Sequence, residues 1–476
     1  MACRIAPKGT PPSPLAGPSP SMNGASMNSK RVSLQTLGCK LNYAETSAIG
    51  ESFRGQGYDI TEFGAPSDVI VINSCTVTEN ADRECRQLVR RALRANPDAF
   101  VVVTGCYAQL QPEEIASIDG VDLVLGTAEK FRILEHLGTA GKRDVPKVVV
   151  GEIAGDSFGP ASSGAGDARA RAFLKVQDGC DYSCSFCTIP LARGGSRSQS
   201  IDASVEQARR LVAEGFQEIV ITGVNVGDFG AGRKESLYDL LLRLHDLDGL
   251  RRLRVSSIEP NLLTDAIIDL AARSDRMTPH FHLPLQSGSD EVLGRMRRRY
   301  RSALYRDRVE RVLASIPDAA IGVDVIVGFP GESDAHFRQT YDFLHALPVA
   351  YFHVFTYSER EQTPAADYGD PVPVALRRER TRMLRNLSEK KRADFAIRHQ
   401  GECRGVLFEY GGEGGMNHGY TGNYIRVAVP YQSVLENRIV DVRIGAFQGE
   451  YAVGELLHPP VPVAGAGLPV LNIISR

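Results

Sequence analysis

Cys180, Cys184 and Cys187 stand within eight residues, spaced C-x3-C-x2-C. Thiolates at this density are soft ligands that suit iron–sulfur clusters. A [4Fe-4S] cube has four irons, so three thiolates leave one iron open to a small molecule. Zinc would need a fourth ligand and usually a second C-x2-C knuckle, and the chain has none. Three is an odd number for disulfides, and the sequence carries no secretory signature. Three further cysteines, Cys39, Cys75 and Cys106, each follow a hydrophobic run of strand character. Loops beyond the carboxyl ends of parallel strands form the ligand crevice of an open sheet. The three thiols can therefore converge on one point; three buried structural thiols is the competing reading. Gly38 and Gly105, directly before two of them, let the backbone turn sharply beside a ligand. Cys3, Cys85 and Cys403 have no matching partners and receive no role.

The elements that must hold these residues alternate. Strands are predicted at Val32–Leu37, Val69–Asn73, Phe100–Thr104 and Val121–Leu125, with helices over Tyr43–Phe53 and Asn80–Ala95 and a short one opened by Pro112. That βαβα order argues for a parallel sheet with helices on its faces, in an N-terminal domain over residues 30–152. Residues 1–29, rich in Pro, Ser, Gly and Ala, read as a disordered tail, and Gly-rich residues 153–170 as a flexible linker.

A second alternating stretch covers residues 171–399. Its strands are Phe173–Gln177, Ile219–Gly223, Leu253–Ser257, His280–Leu283, Ala320–Val327 and Tyr351–Phe355, with helices such as Ser204–Glu214 and Leu237–Leu244 between them. In parallel barrels the reacting groups sit at the carboxyl ends of strands. Polar or glycine-rich segments follow these strands, holding Gly223 and Asn225, Ser257 and Glu259, Gln286, then Asp324 and Gly328. His280 and His282 fall on one strand face, as site groups or as ordinary barrel residues. Arg298, in the basic run Met296–Tyr300, is a candidate RNA-phosphate contact. Leu376–His399 is a basic helix with nine Lys or Arg against three Asp or Glu. Residues 400–460 switch to short β runs, Glu402–Glu409, Thr421–Val429, Asn437–Ile444 and Gly449–Leu456, which read as a small antiparallel barrel, followed by a loose tail over 461–476.

A chain of 476 residues has room for two to four domains, and 43% hydrophobic with 24% charged residues is ordinary for soluble globular protein. The net charge of −2 gives no global nucleic-acid signature, so any RNA contact must come from local patches. No apolar run reaches the length of a membrane span, and a cytoplasmic location without membrane contact is expected.

The C-x3-C-x2-C run with Phe186 before its last cysteine resembles the radical S-adenosylmethionine (SAM) motif. Ile189-Pro190-Leu191-Ala192-Arg193-Gly194 narrows the resemblance to the methylthiotransferases, and it extends from residue 31 to about 459. It implies an α/β chain with a partial (βα)6 barrel and two [4Fe-4S] clusters. One, on Cys180, Cys184 and Cys187, would bind SAM through its amino and carboxylate groups. SAM contacts are implied among Gly223, Asn225, Ser257, Glu259, Gln286, Asp324 and Gly328, with Asn225 at the position that receives the amino group. The other cluster, on Cys39, Cys75 and Cys106, would carry the inserted sulfur, and a second SAM would donate the methyl. Gly419–Ile425 resembles the TRAM domain, a small RNA-binding barrel, which makes Tyr420 and Tyr424 candidate base-stacking groups. Lys40 and Glu45, after the first cysteine, resemble the branch that acts on N6-threonylcarbamoyladenosine beside the anticodon of tRNA. The isopentenyladenosine branch usually has glutamine at the lysine position, and the ribosomal-protein branch usually reads Cys-Pro-Lys-Asn. Leu191 stands where the first branch has tryptophan, and Gly195-Ser196 and Gln199-Ser200 also depart from its common run. The implied partners are tRNA and an electron donor such as flavodoxin or ferredoxin. A non-catalytic RNA-binding iron–sulfur protein is the alternative from another class; only the enzyme would cleave SAM to 5′-deoxyadenosine.

Overall fold

The computed structural model describes residues 29–458, apart from 77, 139–140, 154–157 and 165–168. The predicted tails fall almost wholly outside the described residues.

The first unit is a parallel sheet of β1 (Arg31–Thr36), β2 (Asp59–Thr61), β3 (Val69–Ser74), β4 (Phe100–Gly105), β5 (Leu123–Leu125) and β6 (Lys147–Val149), in the order β2-β1-β3-β4-β5-β6. Every residue of β3 and β4 is buried, which is what a parallel sheet covered on both faces requires of its β-branched runs. The chain leaves β1 for the edge strand β2 and returns to β3 on the other side of β1. That reversal opens a crevice at the carboxyl ends of β1 and β3, where Cys39 and Cys75 lie. The helix α1 (Lys40–Gly55) starts directly after Cys39, four residues from β1 and three earlier than the periodicity indicates. β2 and β6 are three-residue edges with no hydrophobic run to announce them.

The linker reading needs correction. Within it, β7 (Ala161–Ser162) pairs antiparallel with β8 (Arg171–Lys175), and Ser163 Oγ accepts a 2.9 Å hydrogen bond from Phe173 N. β8 itself begins two residues before the apolar run, with β9 (Gln177–Asp178) following and pairing antiparallel with β10 (Arg197–Ser198).

β8, β11 (Glu218–Thr222) and β12 (Arg252–Val255) form one parallel set; β13 (His280–Gln286), β14 (Ala320–Val327) and β15 (Tyr351–Thr356) form another. Parallel bridges Leu253–Met277 and Ser257–His282 join them into the expected six-stranded open barrel. Alternation divides each strand: Leu174, Ile219, Ile221, Leu253, Leu283, Val323 and Phe352 pack outward in the main core. Charged and polar Arg171, Glu218, Arg254, His280, His282, Asp324 and His353 take the inward positions.

The basic helix runs Val374–Arg398 against β15, where Ser388 Oγ accepts from Phe352 N at 2.8 Å. Part of its charge is spent internally: buried Arg380 pairs with Glu332 at 2.7 Å and Asp334 at 2.6 Å. The last unit is a closed barrel of β16 (Cys403–Phe408), β17 (Met416–Thr421), β18 (Arg426–Pro430), β19 (Ile439–Phe447) and β20 (Ala452–Leu456). It departs from the purely antiparallel expectation, because β18 and β20 pair parallel. The predicted run Thr421–Val429 is broken by a turn in which Tyr424 takes φ +69°. This barrel caps the amino ends of the larger barrel's strands, through Arg171–Glu409 at 2.8 Å and Arg252 donating to the Tyr420 and Gly405 carbonyls at 3.1 and 2.6 Å. No described helix is long and apolar enough to cross a membrane.

Candidate active site

Cys180, Cys184 and Cys187 lie in the loop between β9 and the short helix Ile189–Arg193. Gly179 takes φ +68°, and a Cβ there would meet the Gly195 carbonyl at 1.9 Å, so the loop requires glycine at its start. Cys180 N donates to Gly194 O at 3.1 Å and Cys187 N to Cys184 O at 3.2 Å, which folds the three thiols together. Burial pushes the Cys180 thiol up to about 11 and Cys187 up to about 12. Such thiols stay protonated at neutral pH unless a metal displaces the proton. Among the described residues, the one trio of His, Cys, Asp or Glu whose ligand atoms all lie within 4.8 Å is His282, Asp324 and His353. The wider spread of the cysteines suits a cube better than a single ion.

Arg298 is not where the sequence reading put it. Its side chain is 4% exposed; it donates to Cys184 Sγ at 3.0 Å and pairs with Glu259. A phosphate cannot reach it. It is a sulfur-directed charge, invisible to sequence because Cys184 and Glu259 lie 114 and 39 residues away.

The remaining sequence-predicted positions separate into three groups. Gln286, at φ +67°, and Asp324 line a cavity of about 190 Å³ with Cys187, Phe186 and Phe355. Asn225 is buried at 4%, yet neither its Oδ1 nor its Nδ2 has a partner. A buried, unsatisfied amide beside a ligand site invites a polar ligand. Gly223 is held against Gln177, whose Oε1 would lie 2.8 Å from a Cβ there, and the same Oε1 accepts from Asn225 N. Ser257 and Glu259 are occupied by His282 and Arg298. Gly328, at φ +78°, faces Arg377, whose Cγ would lie 2.3 Å from a Cβ; its place is a turn rather than the cavity wall.

In the first unit, Gly38 takes φ +94°, and a Cβ would fall 2.7 Å from Cys75 Sγ. Gly105, at φ +99°, lets Cys106 start a helix beside Ser74. Asn42 Nδ2 donates to Leu37 O at 2.8 Å and Ser74 O at 3.0 Å, tying the Cys39 and Cys75 loops together. Burial raises the Cys106 thiol, while Arg193, Lys130 and the Cys39 thiol act on it from nearby. Three sulfurs thus gather at glycine cradles, a donor set that fits a second cube. Cys85 is buried in a helix, its thiol pushed up to about 12, and Cys403 is exposed on the closed barrel.

The sequence reading missed what locks the two cysteine sets together. Glu45, fully buried, pairs with Lys130 at 2.6 Å, Lys175 at 2.8 Å and Arg193 at 3.0 Å. Asp178 pairs with Lys175, Arg193 and Arg197 at 2.6, 2.9 and 3.1 Å. Arg193 also donates to Asn42 Oδ1 at 2.6 Å. Burial would raise both carboxyls, but Arg193, Lys130 and Lys175 hold Glu45, and Lys175 and Arg193 hold Asp178, well below the usual range. Lys175 within an apolar strand was the available signal.

Tyr420 and Tyr424 also differ from expectation. They stack on each other at 4.9 Å, and Tyr424 lies 4.5 Å from the His280 ring and 6.1 Å from Tyr351. The Arg171 guanidinium covers Tyr420 at 4.7 Å, and Arg254 covers Tyr424 at 5.0 Å. These faces are spent on sealing the barrel's amino end. They line a cavity of about 440 Å³ with His353, Arg392 and Arg426.

Residues 31–126 match the family described as Uncharacterized protein family UPF0004, and residues 174–344 match the Radical SAM superfamily. Threonylcarbamoyladenosine tRNA methylthiotransferase MtaB of Bacillus subtilis is 40% identical over 424 residues, which cover 87% of this chain and 93% of that protein. The protein of the same name from Aquifex aeolicus is 39% identical over 402 residues, covering 83% and 96%. The tRNA-2-methylthio-N(6)-dimethylallyladenosine synthase of Sphingopyxis alaskensis is 34% identical over 390 residues, covering 81% and 88%.

Proposed function

The chain belongs to the threonylcarbamoyladenosine tRNA methylthiotransferase family within the radical SAM superfamily, and on that footing we propose that it replaces the C2 hydrogen of N6-threonylcarbamoyladenosine in tRNA, beside the anticodon, with a methylthio group. The observation that carries the reading is the pair of cysteine triads from two units, locked in register by Glu45 and Arg193 beside a polar barrel lumen. Radical SAM membership brings a [4Fe-4S] cluster and SAM; Cys180, Cys184 and Cys187 are the residues we assign to that cluster, and Cys39, Cys75 and Cys106 to a second. When bound, these groups supply a radical for hydrogen abstraction, a sulfur atom and a methyl group.

The chain supplies the setting. The C2–H bond of adenine is neither acidic nor electrophilic enough for acid–base or nucleophilic attack, so position and shielding are the protein's share. Asn225 offers its unpartnered amide, and Gln286 and Asp324 line the cavity next to Cys187. His282 is fixed on both nitrogens: Nε2 donates to Asp324 at 3.0 Å and Nδ1 accepts from Ser257 at 2.6 Å. Arg298 places positive charge 3.0 Å from Cys184 Sγ. Arg392 and Arg426, on the rim of the larger cavity, are positioned to meet tRNA phosphates. A cytoplasmic location and a small reducing protein such as flavodoxin or ferredoxin complete the proposal.

The test is anaerobic turnover of the reconstituted protein with SAM, a reductant and an anticodon stem-loop carrying threonylcarbamoyladenosine. Mass spectrometry should find the 2-methylthio product together with 5′-deoxyadenosine. Product only on an isopentenyladenosine stem-loop would overturn the substrate branch. No SAM cleavage at all would overturn the enzyme.

A further inference from the structure

Lys40 is the first residue of α1 and is exposed, but the space it is exposed to is the barrel lumen. There Tyr424, Arg171, Arg254 and Asp324 act on its ammonium, and it acts in turn on His280 and His353. The groups facing it come from every surrounding element: Arg171 from β8, Arg254 from β12, His280 and His282 from β13, Asp324 from β14, His353 from β15 and Tyr424 from the closed barrel.

Most of these charges are already matched. Arg171 is pinned by Glu409 at 2.8 Å, Arg254 by Glu218 at 2.6 Å, and Asp324 by His282 at 3.0 Å. Lys40 makes no ion pair or hydrogen bond among the described residues. The lumen therefore carries one uncompensated cation. Its effect is visible on a neighbour: burial opposes ionisation of Tyr424, yet Arg171 and Lys40 bring that phenol down to about 8.

We propose that Lys40 is the specificity-determining residue of this site, its ammonium pairing with the free carboxylate of the threonylcarbamoyl group. The inference rests on the proposed substrate and deepens it. A threonylcarbamoyl group ends in a carboxylate; an isopentenyl or dimethylallyl group is uncharged. A lone cation in a lumen walled by Tyr424, Tyr351 and His353 favours the first and penalises the second, which would leave the ammonium desolvated and unpaired. The 440 Å³ cavity bounded by Tyr424, Tyr351 and His353 shares this wall and leads outward to Arg392 and Arg426, which gives one anionic substrate a continuous cationic path.

The experiment is a cycle of protein and substrate changes. Anticodon stem-loops carrying threonylcarbamoyladenosine, or its analogue with the threonine carboxylate converted to the carboxamide, are titrated into wild-type and Lys40→Gln holoenzyme matched for iron content, with binding read by fluorescence anisotropy. A charged hydrogen bond of this kind is worth about 10- to 100-fold in affinity. Wild type should favour the carboxylate by about that factor. Lys40→Gln should bind both stem-loops alike, and Lys40→Arg should keep part of the preference. Equal binding of the two stem-loops by wild type, or a preference that survives in Lys40→Gln, overturns the inference. Either result, with wild type still methylthiolating the carboxylate substrate, leaves the proposed function standing; absence of that turnover overturns the function itself.

Discussion

Glu45→Gln keeps the shape of the side chain and removes the one carboxylate that faces Lys130, Lys175 and Arg193 together. Four buried cations, counting Arg197, would then share Asp178 alone. Removing one partner of a buried ion pair costs about 3–5 kcal/mol, because the other charge is left desolvated. Glu45 and Lys130 belong to the first unit and Lys175 and Arg193 to the barrel, so the loss should appear as weakened docking between them. The pH dependence is a sharper signature. Burial lowers Lys130 to about 8 even though Glu45 works to raise it. An unfolded lysine holds its proton to about pH 10.4. Between those values the unfolded chain binds more protons, and folded stability rises with pH by about 1.4 kcal/mol per unit.

Without Glu45, Lys130 releases its proton at lower pH, so the rise begins below neutrality. Between pH 6 and 7.5 the variant should regain roughly 2 kcal/mol that wild type does not. The assay is urea unfolding followed by circular dichroism at several pH values. A chain of several units need not unfold in one step, so amide exchange of peptides covering α1 supplies the local reading. Glu206→Gln, which breaks a pair whose partners are both 59% exposed, is the control and should change little. A Glu45→Gln protein within about 1 kcal/mol of wild type at pH 6, with α1 protection unchanged, would refute the reasoning.

Three further outcomes are expected. Gly38→Ala forces a Cβ to 2.7 Å from Cys75 Sγ at φ +94°, so iron per reconstituted chain should fall from roughly eight to roughly four; unchanged iron would show that the loop can move aside. Arg298→Gln removes a charged donor from Cys184 Sγ, and the cluster there should become harder to reduce, read as a more negative midpoint in an electron paramagnetic resonance titration. Tyr424→Ala empties the stack between Tyr420 and His280; it should cost about 3–5 kcal/mol and speed proteolytic release of the closed barrel, and equal cleavage rates would assign the docking to Arg171 and Arg252 alone.

Much of this was legible in the chain because it was local. The hydrophobic runs of β3 and β4 are buried at every position, and both the period and the bounding glycines mark them. The inward alternation of His280 and His282 follows from strand geometry alone. What was not legible depends on partners distant in sequence. Arg298 in a basic run looked solvent-facing, but Cys184 and Glu259 draw it inward. Tyr424 looked like a base-stacking residue, but docking of the closed barrel turns its ring onto His280. The edge strands β2 and β6 are too short for any periodicity, and β7 is ordered by pairing with β8 rather than by its own composition.

α1 explains why the two cysteine sets can cooperate across units. Its preceding residue is Cys39; its first turn presents Lys40 and Asn42, and Glu45 follows within the next turn. Asn42 binds Ser74 O, beside Cys75, through Nδ2 and receives Arg193 through Oδ1. Arg193 lies six residues after Cys187, on the helix that the cysteine loop feeds. A helix rises about 1.5 Å per residue, so Cys39 to Glu45 is a rigid span of about 9 Å. The separation of the triads is thus fixed by a helix and a buried charge network rather than by the Gly-rich segment joining the two units. Group transfer between two sites depends steeply on such spacing, because ångström-scale misplacement alone costs large factors in rate. That argument places Glu45 and Asn42 among the determinants of turnover although neither offers a sulfur, and it explains why the residues on this short stretch of α1 are the ones that distinguish the branches.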